Sequence, residues 1–130
     1  MVGITDILDR INRSTLRSSD LLSFIKGVRG DSNKRLEYIT KDDVQWLQTY
    51  AFVLEKIELF EEGKAFDMRA GDWRQSIEDF SKLKLFIDEM EEKKLVNEVS
   101  WTTEGFVLFN LLNPEALRKY IYSRIQICLK

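Results

Sequence analysis

The chain has 130 residues, of which 44% are hydrophobic and 32% charged, and its formal net charge is −2. This is the size of one ordinary domain with enough apolar residues for its own core, so disulfides or metals are not needed to hold it together. Histidine is absent and cysteine occurs once, which excludes histidine-based catalytic or metal sites and any disulfide within the chain.

The location and charge pattern lead to further expectations. No stretch combines a basic start with a long apolar run, and no apolar run approaches the ~20 residues that span a bilayer. We therefore expect a cytoplasmic protein with no membrane contact and no cofactor.

Net charge is +3 over residues 1–36, −7 over residues 37–100 and +2 over residues 101–130. A basic surface for nucleic acid must therefore be local.

Two short helices are predicted at the N-terminal end. Thr5 is placed to cap the first helix, whose apolar residues recur at helical spacing. Ser19 is placed to cap a second apolar segment, which Gly27 and Gly30 end.

A long central helix follows. Thr40 is placed to cap it, and the helix is predicted to continue to about Glu62 and to stop before Gly63. Its apolar residues cover more than half of the circumference, which indicates a helix buried on most sides.

The second half of the chain is predicted to contain a helix, a hairpin and a last helix. Asp72 and Gln75 resemble a capping box, and Ser81 could begin a second helix, so the sequence leaves one helix or two open here. Residues 95–112 are rich in strand-forming residue types, which predicts a short two-stranded hairpin. Asn113 and Pro114 then stand in the preferred order for the start of a helix.

Few side chains suggest catalysis. Cys128 follows Arg124 by four residues, which could lower its pKa, but a cysteine on the apolar side of a helix is usually a packing residue. The neighbouring pairs Glu61–Glu62 and Glu91–Glu92 do not share a helix face, so they are interpreted as solvated surface. We therefore expect that the protein is not an enzyme.

Residues 86–96 read Phe-Ile-Asp-Glu-Met-Glu-Glu-Lys-Lys-Leu-Val, and residues 101–106 read Trp-Thr-Thr-Glu-Gly-Phe. This order resembles that of bacterial and archaeal winged helix-turn-helix transcription regulators, with the resemblance local to residues 80–112, about a quarter of the chain. It implies that residues 86–96 are the end of a recognition helix running into a wing strand. It also implies that residues 101–106 are the second wing strand and the start of the next helix.

In that family the N-terminal part of the recognition helix enters the major groove of DNA. The resemblance therefore implies six DNA-contacting residues, whose side chains suit phosphate and base contacts, and we expect the side chains of Lys82 and Lys84 to be solvated. The six residues are Arg74, Gln75, Ser76, Ser81, Lys82 and Lys84.

The sequence thus predicts one mainly α domain over residues 1–130. It is winged-helix-like over residues 73–112, with a small two-stranded hairpin and terminal helical extensions. Two functions remain open: a DNA-associated transcriptional regulator, or a non-enzymatic protein-binding module such as an adaptor or inhibitor. A basic stripe would favour the first, and an exposed aromatic patch with an acidic rim the second. A homodimer through the terminal helices is expected from an apolar stripe that one short domain would not cover fully, namely Leu117, Ile121, Ile125 and Cys128.

Overall fold

A computed structural model describes residues 3–30, 39–63, 80–101 and 107–129. The helices in these residues are α1 (Ile4–Asn12), α2 (Ser18–Gly30), α3 (Lys41–Glu61), α4 (Phe80–Glu92) and α5 (Pro114–Cys128), and the strands are β1 (Val96–Trp101) and β2 (Val107–Leu111). The two strands form one antiparallel hairpin. The prediction of a mainly helical domain with a small hairpin is therefore confirmed.

The long helix α3 lies at the centre, and α2, α4 and α5 all pack against it. Its N-terminus is capped as the sequence predicts, because the Thr40 hydroxyl accepts the Asp43 N–H at 3.0 Å and the Asp43 carboxylate accepts the Thr40 N–H. Gly63, with φ of +80°, follows its C-terminus. Most of the residues between are buried, since neighbours cover α3 on several sides.

The N-terminal helices begin two residues before the starts that caps at Thr5 and Ser19 predict. Gly3 rather than Thr5 is the N-cap of α1, because the Asp6 carboxylate accepts the Gly3 N–H at 3.0 Å. The helix α2 begins at Ser18 rather than after Ser19, and it continues through Gly27 to Gly30. Packing of α2 against α3 outweighs the intrinsic helix-breaking tendency of a glycine.

The hairpin differs from the family-based assignment of residues 101–106. Trp101 ends β1 and pairs with Val107, so it does not open the second strand, and among the described residues the helix that follows β1 begins at Pro114. Residues 102–106 lie outside the described part. A register irregularity between Asn97 and Ser100 carries Glu98 at φ of +54°, which is typical of a bulge. Trp101 is placed at the end of β1 by its pairing with Val107, and the local sequence around Trp101 does not indicate this pairing.

The last helix begins as predicted, with Asn113 accepting the Ala116 N–H at 3.1 Å and Pro114 in the first turn. The stripe that motivated a dimer is covered within the chain, since Leu117, Ile121 and Ile125 are fully buried where α5 packs on α3. In the described ranges, no helix has the length and apolarity that crossing a bilayer requires.

Candidate binding surfaces

Three of the six predicted DNA-contacting residues lie outside the described part: Arg74, Gln75 and Ser76. The other three lie in the first half of α4: Ser81, Lys82 and Lys84. The structure therefore places half of the predicted site on one helix.

Lys82 is held against α3. Its Nζ lies 2.6 Å from Asp42 Oδ1 and 5.2 Å from the centroid of the Trp46 ring, and its side chain is only 13% exposed. The expectation that this side chain is solvated is wrong, because Asp42 supplies the opposite charge and Trp46 the aromatic face that draw it inwards. A phosphate contact by Lys82 would have to replace these contacts.

Lys84 and Ser81 lie on the exposed side of the same helix. The Lys84 Nζ lies 5.3 Å from the centroid of the Trp101 ring, so it connects α4 to the end of β1. Lys84 is exposed despite this contact, so its charge remains accessible to a partner.

The solvent side of α4 forms a continuous stripe, which we call the α4 outer face. Its members recur at three- and four-residue spacing and are all exposed: Ser81, Lys84, Leu85, Asp88, Glu91 and Glu92. Leu85 is 58% exposed near the middle of this face, whereas Leu83, Phe86 and Ile87 are fully buried on the opposite side. Sequence reasoning missed Leu85, although it falls outside the apolar period of its neighbours.

A second surface lies at the opposite end of α3. A cleft of about 460 Å³, which we call the linker cleft, separates the α1–α2 connection from the end of α3 and the start of α5. Its walls include Ser14, Leu16, Arg17, Glu61, Arg118 and Tyr122. Sequence reasoning missed this cleft because its residues come from three distant segments.

Hydrogen bonds join the walls of the linker cleft. Arg118 donates from both terminal nitrogens to the two carboxylate oxygens of Glu61, with Nη1 2.9 Å from Oε2. This fork lowers the pKa of Glu61 and raises that of Arg118. The Tyr122 hydroxyl donates to the Leu16 carbonyl at 2.8 Å, and burial raises the pKa of Tyr122. Glu61 is therefore an ion-paired surface residue rather than merely a solvated one.

Cys128 is buried at the end of α5. Burial raises the pKa of its thiol to about 11, and this outweighs the opposing charge of Arg124. A thiol that stays protonated at neutral pH is a weak nucleophile, which fits its interpretation as a packing residue. Within the described residues, no three side chains of the metal-binding types come together.

Comparison of the chain with protein-family models, with curated proteins and with solved structures finds no match. The winged-helix resemblance of residues 80–112 thus stays a prediction, and the two surfaces described above are the candidate sites of function.

Proposed function

We propose that the chain is a non-enzymatic protein-binding module that contacts its partner through the α4 outer face. The observation that carries this proposal is Leu85, a large apolar side chain that is 58% exposed beside the carboxylates of Asp88, Glu91 and Glu92. A leucine that projects from a helix face between charged side chains can insert into an apolar groove of a partner, as in helix-in-groove recognition. The complementary partner has an apolar pocket for Leu85 with lysine or arginine beside it.

A DNA-associated transcriptional regulator of winged-helix type is the second candidate. It is supported by the sequence resemblance and by the exposure of Ser81 and Lys84 in the first half of α4. Against it stand the ion pair of Lys82 with Asp42 and the three carboxylates of the second half of the same face. DNA carries one negative charge per about 1.7 Å of helix axis, so these carboxylates oppose close approach.

The proposed module works in the cytoplasm and as a monomer. A dimer through the terminal helices is not part of the proposal, because the apolar residues that motivated it are buried against α3.

The proposal is tested by selecting peptides from a random display library on the immobilised protein. We expect enriched peptides to carry lysine or arginine around one bulky apolar residue. Their binding should weaken at least tenfold in Leu85→Asp, since truncating a central interface anchor costs about 2 kcal/mol or more. Leu22→Asp is the matched control, because Leu22 is also an exposed leucine but lies on α2. Peptides that bind Leu85→Asp as well as the native protein would overturn the proposal.

A further inference from the structure

In the linker cleft, the carboxylate of Glu61 occupies a position on Arg118 where the carboxylate of a ligand could bind. Arg118 grips Glu61 through two parallel hydrogen bonds, the geometry in which arginine recognises any carboxylate. Glu61 is the last residue of α3, and its side chain is 42% exposed. Exposed ion pairs contribute little to stability, so Glu61 can leave Arg118 without disturbing the core.

A second guanidinium in the cleft has unused hydrogen-bonding capacity. The Arg17 side chain is 60% exposed, and its Nη2 lies 3.7 Å from Glu58 Oε1, longer than a hydrogen bond. The Glu58 oxygens already accept the N–H and hydroxyl of Ser18 at 2.7 Å. The hydrogen bond from Arg118 lowers the pKa of Glu61, and the charge of Arg17 lowers it further. Both cations therefore stabilise a negative charge at the position of the Glu61 carboxylate.

The shape of the site favours an extended ligand. The linker cleft adjoins a cleft of about 330 Å³ that shares Ser14, Glu61, Arg118 and Tyr122 with it. This second cleft adds Lys119 and Glu115, whose Nζ and Oε1 lie 3.5 Å apart. Each volume lies within or near the range of about 300–1,000 Å³ that ligand sites occupy. Two adjoining open clefts suit a few residues of chain better than one compact small molecule, and Arg17 and Arg118 are the cations placed to contact its carboxylate.

We infer that the linker cleft binds an acidic peptide segment of a partner protein, whose carboxylate replaces that of Glu61 on Arg118 and is also contacted by Arg17. Glu61 then acts as an internal competitor that occupies the site in the free protein. This inference concerns a different surface from the α4 outer face and does not depend on it.

The test uses nuclear magnetic resonance of the arginine side-chain Nε–H groups in the full chain. The probe is the blocked peptide acetyl-Leu-Glu-Glu-Leu-amide, and the control peptide has glutamine in place of glutamate. We expect saturable shifts at Arg17 and Arg118 with the glutamate peptide only. Arg13, an exposed arginine paired with Asp9 outside the cleft, serves as the internal reference.

Glu61→Gln should tighten binding of this probe by roughly two- to fivefold, the equilibrium constant of an exposed ion pair that no longer competes. Glu62→Gln removes the neighbouring carboxylate and should leave the affinity unchanged. The inference is overturned if Arg17 and Arg118 shift no more than Arg13, or if Glu61→Gln weakens binding while its backbone spectrum stays native. Leu85→Asp should not affect this assay, so failure here is distinct from failure of the proposed function.

Discussion

The carboxylate of Glu58, in α3, caps the N-terminus of α2 through Ser18. Glu58 Oε2 accepts the Ser18 N–H at 2.7 Å, and Oε1 accepts the Ser18 hydroxyl at 2.7 Å. Both residues are buried, although 40 positions separate them in the chain. A negative charge at a helix N-terminus is favourable because the helix dipole is positive there. The central helix thus fixes where α2 begins.

Glu58→Gln should lower the free energy of unfolding by roughly 1–3 kcal/mol, because the amide nitrogen of glutamine would face a donor of Ser18 and leave it unsatisfied. Urea unfolding measures this change. Glu55→Gln, one turn earlier on the same helix and only half-buried, is the control and should change stability by less than about 0.5 kcal/mol. Equal effects of the two substitutions would show that the Ser18 contact does not stabilise α2.

Lys82→Ala should be more destabilising than Lys84→Ala. Lys82 loses an ion pair with Asp42 and a contact with the Trp46 ring in a largely buried setting, whereas Lys84 is exposed. We expect a loss of about 1–2 kcal/mol for Lys82→Ala from these two contacts. Thermal unfolding of both variants checks it, and the opposite order would mean that Lys82 is free in solution.

Lys94 occupies a backbone position that favours glycine. Its φ is +60°, and the Leu95 N–H donates to the Met90 carbonyl at 2.9 Å, which is the pattern of a helix ending in a left-handed residue. Lys94→Gly should therefore stabilise the protein by about 0.5–1 kcal/mol in urea unfolding. Lys93→Gly should destabilise the protein, because the Lys93 N–H still donates to the Glu89 carbonyl as part of the last helical turn, where glycine is unfavourable. A loss of stability in both variants would contradict a left-handed backbone conformation at Lys94.

Stability should fall as the pH rises above about 9. Burial raises the pKa of Cys128 from 9.0 to about 11 and that of Tyr50 from 10.0 to about 12. Between these limits the unfolded chain loses protons that the native state keeps, so alkali favours unfolding. Cys128→Ala should make the decline between pH 9 and 11 shallower, measured by urea unfolding across that range. An unchanged slope would place the thiol in contact with solvent.

Much of the fold follows from local chemistry. Thr40 and Asn113 are strong caps whose partners lie three residues away, so the starts of α3 and α5 can be predicted from the sequence alone. The start of α2 is only partly local, because Asp20 accepts the Arg17 N–H at 3.0 Å whereas the Ser18 N–H is accepted by Glu58 on another helix. Trp101 is a strand-former, but its pairing with Val107 decides which strand it joins.

The candidate surfaces were less predictable than the fold. The exposure of Ser81 and Lys84 agrees with the interpretation of the sequence, whereas the burial of Lys82 depends on Asp42, which lies on a different helix. The linker cleft combines segments that are far apart in the chain, such as Arg17 and Arg118, and no local pattern indicates it.

Fluorescence anisotropy shows whether the α4 outer face binds DNA or, as we propose, only a protein. A labelled duplex of mixed sequence is titrated with the native protein at low and at moderate salt. Attraction to phosphate is strongest at low salt, so any DNA contact by this helix would show there. We predict no saturable binding at either salt concentration. Binding with a double-logarithmic salt slope near −3, as about three phosphate contacts would give, would contradict this prediction, above all if Lys82→Ala and Lys84→Ala together flattened that slope.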